Sequence, residues 1–84
     1  MCFVYLIIST NKDKSISYVG YTNNLKNRLL LHNKGKGAKF TKGRKWKLIY
    51  YRKYKNKSIA LKEEYKLKKN LKLRKKIKDN SIIK

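Results

Sequence analysis

Proline is absent from this 84-residue chain, and cysteine occurs once, at Cys2. A lone cysteine excludes an intrachain disulfide and a cysteine-cluster metal site. No long Gly/Ser-rich stretch marks a linker, no internal repeat is present, and no composition shift divides the chain. Residues 1–84 therefore read as one domain. Long hydrophobic runs are also missing. The apolar stretch over residues 2–8 lacks a basic flank and a small-residue cleavage site, and it is too short to span a bilayer. A cytoplasmic location is the expectation.

Acidic residues are the scarcest of the common classes. Only Asp13, Glu63, Glu64 and Asp79 oppose 25 lysines and arginines, for a net charge of +21. So many like charges in a compact domain repel one another. A polyanion relieves that repulsion, and a phosphate backbone adds the entropy of released counterions. An anionic membrane surface ranks lower as a partner. The basic residues encircle the predicted helices and leave no broad apolar face for lipid. Apolar residues, at 40% of the chain, suffice for a modest core, which argues against wholesale disorder.

The β-branched and aromatic run over residues 2–9 predicts a buried strand. Residues 11–15 (NKDKS) are turn-formers, and residues 17–20 continue as a second strand, so the pair reads as a hairpin. Thr22, Asn23 and Asn24 offer capping side chains ahead of a helix over residues 24–33. Leu25 and Leu29 define its inner face, with Arg28 and His32 one turn apart beside that face. The following KGKGAKFTKGRK predicts a flexible basic loop with a short helical turn near residues 38–41. A third strand is expected over residues 46–54. Ser58 is the expected cap of a second helix over residues 59–73, and a basic helix or tail follows from about residue 72.

One residue conflicts with that second helix. Ala60, Glu64, Leu67 and Leu71 fall within about 60° on a helical wheel, with Leu61 at one edge. Glu64 therefore lies within the apolar stripe, while Glu63 points roughly 100° away. A carboxylate on a buried face costs several kcal/mol unless it is paired. Two readings stand. One is an ion pair with Arg28 or a lysine, or a hydrogen bond to a tyrosine. The other is a metal ligand in a groove. With Asp13 in a turn and Asp79 in the tail, there are too few acids for a two-metal phosphotransfer site, so any such chemistry uses one hard ion.

The hairpin carries Phe-Val-Tyr at residues 3–5 and Tyr-Val-Gly at 18–20. Tyr-Thr-Asn-Asn-Leu-Lys-Asn-Arg-Leu-Leu-Leu-His follows at 21–32, and Ala-Leu-Lys-Glu-Glu at 60–64. The ordered set Tyr5, Tyr18, Gly20, Arg28, His32 and Glu64 resembles the GIY-YIG nuclease family, in particular its small stand-alone bacterial members of the UPF0213 type. Phe3 replaces the glycine of the family's first motif. The resemblance implies an α+β fold, with a small three-stranded, mainly antiparallel sheet flanked by helices. It implies that Glu64 binds a single Mg²⁺ or Mn²⁺ ion and that Arg28 contacts the scissile phosphate. It places Tyr5, Tyr18 and His32 around the attacking water. Gly20 stands where a larger side chain would obstruct the helix or the substrate. Tyr21 lies near the place of a lysine found in some relatives, and Asn70 and Asn80 are both available for an asparagine that others carry.

Arginine offers a planar fork matched to two phosphate oxygens. Lys34, Lys36, Lys39, Lys42 and Arg44 read as a rim that tracks the phosphate backbone. Tyr50, Tyr51 and Tyr54 read as strand packing before base stacking. The expected function is metal-dependent hydrolysis of DNA, selective for strand structure and without a small-molecule cofactor. The alternatives are a catalytically weak nucleic-acid-binding module and an RNA- or ribosome-associated basic protein.

Overall fold

A computed structural model describes residues 1–11 and 14–83. The order of elements is β1 (Cys2–Asn11), β2 (Lys14–Thr22), α1 (Leu25–Asn33), β3 (Lys47–Tyr54), α2 (Lys57–Lys69) and α3 (Leu71–Ile83). The three strands form one antiparallel sheet in the order β2-β1-β3, and the fold is α+β as expected. The central place of β1 explains its composition. A strand covered on both faces must be apolar at every position, and Val4 through Ile8 are all buried.

Alternation along β1 divides the core in two. Val4 and Leu6 face α2 and α3, where Val19, Ala60 and Leu67 close a cluster with Ile49, Tyr50, Tyr54 and Ile77. Tyr5 and Ile7 face the other way, toward Trp46 and the Leu25 and Leu29 side chains of α1. A register shift in the β1–β3 pairing, between Leu6 and Ile7, brings consecutive residues Ile49 and Tyr50 onto the first cluster. This is the usual effect of a bulge, which re-aims side chains. Tyr50 and Tyr54 thus pack as expected, whereas Tyr51 is 55% exposed and meets Phe3 edge-on.

Several boundaries differ from expectation. Asn11, Lys14 and Ser15 pair in the β1–β2 ladder instead of turning, and β2 runs on to Thr22. The rest of the expected turn, Lys12 and Asp13, lies outside the described residues. Asn56, not Ser58, caps α2, its side chain accepting from the Ile59 amide at 2.9 Å. The helix expected over residues 59–73 is two helices. Asn70 leaves helical geometry at φ −91°, ψ 79°, and its side chain accepts from the Leu73 amide at 3.0 Å, as an N-cap does. Leu71 therefore belongs to α3 and is 68% exposed, and Leu61 is exposed as well. The apolar stripe of α2 reduces to Ala60 and Leu67. None of the described helices is long and apolar enough to cross a membrane.

Candidate active site

The second face of the sheet assembles the site. In the β1–β2 register Tyr5 lies opposite Gly20 and Ile7 opposite Tyr18. Both tyrosines and the glycine therefore share a face. Helix α1 begins at Asn24, whose side chain accepts from the Asn27 amide at 3.1 Å. Arg28 and His32 follow one turn apart. The Leu25 and Leu29 side chains seat α1 on Tyr5 and Ile7, which carries Arg28 and His32 to the tyrosine hydroxyl.

His32 is completely buried, and both ring nitrogens are engaged. Nε2 lies 2.7 Å from the Tyr5 hydroxyl and Nδ1 lies 2.8 Å from Thr41 Oγ1. The Thr41 hydroxyl spends its one hydrogen on the Ala38 carbonyl at 3.0 Å and accepts from the Ala38 amide at 3.2 Å. With that hydrogen on the carbonyl, Thr41 accepts from His32, and Nδ1 carries the imidazole hydrogen. Nε2 is left as the acceptor, and Tyr5 donates to it. Arg28 Nε–H in turn donates to the Tyr5 oxygen at 3.4 Å. In that tautomer the series runs from Arg28 to Tyr5, Tyr5 to His32, His32 to Thr41, and Thr41 to a backbone carbonyl.

Two glycines make room for this series. A β-carbon at Gly20 would overlap the Tyr5 hydroxyl, and one at Gly37 would overlap the His32 ring. At Gly20 the obstruction is with Tyr5 itself. The basic loop is also less free than expected. Thr41 is fully buried, Trp46 donates its indole N–H to the Thr41 carbonyl at 2.9 Å, and the Asn33 side chain bonds the Trp46 backbone. The loop's floor is fixed by the same threonine that holds His32. Lys34, Lys36, Lys39, Lys42 and Arg44 all remain exposed around it.

Burial pushes the Tyr5 phenol above its ordinary value. Arg28 pulls it back, and the charges of Tyr18 and Glu64 push it further up. Burial pushes His32 below its ordinary value, and the neighbouring Arg28 charge adds to that. At neutral pH the pair is an uncharged phenol and an uncharged imidazole. Tyr18 is half-buried and meets the His32 ring edge-on at 5.3 Å between centroids.

Glu64 reaches this group through its field, from α2. Its side chain is 18% exposed, and it pairs with Lys68 at 3.8 Å, one turn along the helix. A pair of that kind within one helix is worth at most about 1 kcal/mol, too little to account for a carboxylate between Ala60 and Leu67. Among the described residues there is no group of three or more His, Cys, Asp or Glu side chains that could hold a metal ion. A single carboxylate still suits Mg²⁺, which binds through one or two carboxylates and completes its shell with water and phosphate oxygens. Tyr21 is removed from the site. It pairs with Val4, faces the other side of the sheet, and its hydroxyl lies 3.5 Å from Cys2 Sγ. Asn70 serves as a helix cap and Asn80 is exposed.

Sequence reasoning missed Thr41, Gly37 and the anchoring Trp46. The available signal was that a buried histidine needs a partner for each nitrogen, and Thr41 is a hydroxyl in the adjoining loop.

One consequence of the buried imidazole is a pH dependence of stability. An unfolded histidine titrates near 6.5 and His32 lower. Between those values the unfolded chain binds a proton that the folded chain does not, so stability falls as pH drops below about 6.5. The fall ends once His32 itself protonates. Above neutrality His32 is uncharged in both states and contributes no slope. Because the chain has one histidine, urea midpoints between pH 5.5 and 7.5 report on it directly, and a flat profile would contradict its buried, neutral state.

The family model described as the GIY-YIG catalytic domain matches residues 1–78, which include every residue of the site. A UPF0213 protein of Oceanobacillus iheyensis is 49% identical over 65 residues, 76% of this chain and 74% of its own. One from Clostridium perfringens is 47% identical over 66 residues, covering 77% and 70%. A third, from Staphylococcus haemolyticus, is 45% identical over 65 residues, covering 76% and 78%. No solved structure matches the chain. With the motif tyrosines, the Arg–His helix and the glutamate all inside the matched region, the chain belongs to the GIY-YIG catalytic domain family, and its relatives include the UPF0213 proteins.

Proposed function

We infer that the protein is a nuclease that hydrolyses phosphodiester bonds in DNA with one divalent ion, choosing substrate by strand structure rather than base sequence. The observation that carries this reading is the hydrogen-bonded series that joins Arg28, Tyr5, His32 and Thr41. Hydrolysis needs a water deprotonated as its oxygen bonds to phosphorus, and positive charge on the phosphoryl oxygens. Tyr5 is the acceptor of the water's proton and passes its own hydrogen to His32 Nε2. The raised phenol value and the lowered imidazole value keep the pair neutral at rest. His32 is thereby available as an acceptor, and Tyr5 is never without a proton to pass on. Arg28 stabilises the negative charge that Tyr5 develops, and its remaining N–H groups fork onto phosphate oxygens. Tyr18 lines the water's position beside His32.

Glu64 is the residue that would hold Mg²⁺ or Mn²⁺. When bound, the ion supplies positive charge to the phosphoryl and leaving oxygens. Lys34, Lys36, Lys39, Lys42 and Arg44 bind the phosphate backbone without reading bases. Residues 1–84 act as one domain, in the cytoplasm. A second reading, a binding module with little turnover, rests on Lys68 lying beside Glu64, where it competes with an ion. Incubating the protein with single-stranded, duplex and branched DNA, with and without Mn²⁺, separates the two. Metal-dependent cleavage of at least one form is expected. Salt-sensitive binding with no cleavage of any form would establish the second reading instead.

A further inference from the structure

A cluster of aromatic rings leads outward from the buried imidazole. Tyr18, edge-on to His32, stacks on Phe40 with centroids 6.0 Å apart and planes 22° apart. Trp46 meets Tyr18 at 6.5 Å and Phe40 at 6.4 Å. Trp46 is buried, whereas Phe40 is 57% exposed.

Single exposed apolar residues are ordinary on protein surfaces, but Phe40 differs from them in three ways. Its ring is held by two other rings rather than left to swing. Its backbone neighbour is Thr41, the fully buried residue that orients His32, so its position is tied to that of the catalytic imidazole. Its surroundings are cationic: Lys39, Lys42 and Arg44 are exposed on the same loop, and no acid occurs between His32 and Glu63. A fixed apolar ring among cations is complementary to a group that joins a flat apolar face to an anion. A nucleobase on its phosphate is such a group, and stacking of this kind tolerates any base. Bases inside a duplex already have both faces covered. Only an unpaired base has a face to offer.

We propose that Phe40 is a stacking platform for an unpaired nucleobase beside the scissile phosphate, so that the substrate is a single strand, flap or frayed end. This rests on the nuclease reading for the word scissile, but the platform itself is measured by binding alone. The test is fluorescence anisotropy of the full chain, in metal-free buffer, with oligo-dT, oligo-rU, a blunt duplex and an all-abasic strand. Wild type should bind oligo-dT or oligo-rU at least about fivefold more tightly than the abasic strand. Phe40→Leu keeps an apolar side chain but loses the ring. It should weaken single-strand binding by about fivefold to a hundredfold, with duplex and abasic binding changed by less than about twofold. Phe40→Trp keeps a stacking face and should stay within about threefold of wild type.

The tighter of the dT and rU arms identifies DNA or RNA as the source of the base. Equal binding of abasic and base-bearing strands by wild type would overturn the proposal without any variant. So would an equal loss by Phe40→Leu on duplex and single strand, or a loss by Phe40→Trp as large as that of Phe40→Leu. A chain that cuts DNA but shows no dependence on Phe40 loses the platform and keeps the nuclease reading. A chain that shows the dependence but never cuts keeps the platform and loses the nuclease reading.

Discussion

Glu64→Gln should reduce metal-dependent cleavage by at least about 10²- to 10³-fold, the order seen when one preorganised electrostatic group is deleted from a site. The substitution preserves shape and removes charge. Among the described residues the carboxylate makes no hydrogen bond to Arg28, Tyr5, His32 or Thr41, and its ion-pair partner is Lys68, on the same helix. Loss of that pair costs at most about 1 kcal/mol, so the melting profile should stay near that of wild type. Single-strand affinity in metal-free buffer should hold or rise slightly, because one negative charge is removed from a protein that binds a polyanion. Glu63 is the internal control. It also pairs within its helix, with Lys66 at 3.7 Å, and it lines a hollow beside Val4 and Tyr54, whereas the carboxylate whose charge acts on Tyr5 is Glu64. Glu63→Gln should leave cleavage within about twofold, as surface substitutions usually do. If Glu64→Gln cuts as fast as wild type, Glu64 is no metal ligand and its place in the α2 stripe has a purely structural cause.

The acid count already pointed to this residue. With four carboxylates in the chain, a helical wheel is enough to single out the one on an apolar face, because the period of an α-helix converts spacing directly into direction. The same holds for β1, whose unbroken apolar run required cover on both sides, and for Arg28 and His32, whose spacing of four places them on one side of α1. What the sequence did not show depends on contacts between distant parts of the chain. Asn70 sits in a stretch that is helix-like on either side, and only the side chain's bond to the Leu73 amide shows that it ends one helix and starts another. Leu71 then leaves the stripe to which the wheel assigned it. Thr41 is nine residues from the histidine it holds, in a loop without period, so no pattern marks it. Phe40 follows from Thr41: once that residue is buried, its neighbour is held at the mouth of the site. The direction of the proton series was equally hidden, because it is set by the carbonyl of Ala38, which every residue type would supply.

That direction makes Tyr5→Phe the most informative second substitution. Phenylalanine fills the same volume on the buried face of β1 and removes a single oxygen. Three effects follow from that atom. The water loses its proton acceptor, His32 Nε2 loses its donor, and Arg28 Nε loses its acceptor. Loss of a positioned acid–base group slows proton transfer by about 10²- to 10⁴-fold. An unpartnered nitrogen on a completely buried imidazole costs about 1–3 kcal/mol of stability. The two effects are separable by experiment. Cleavage should fall by that factor at temperatures well below the melting midpoint, where the variant is fully folded, while the midpoint shifts down by several degrees. Nucleic-acid affinity should change by less than about twofold, because the substitution touches none of the loop cations that bind the phosphate backbone. A Tyr5→Phe protein with wild-type cleavage would show that Tyr5 only supports the imidazole and that the water's proton leaves by another group, for which Tyr18 is the candidate in ring contact with His32.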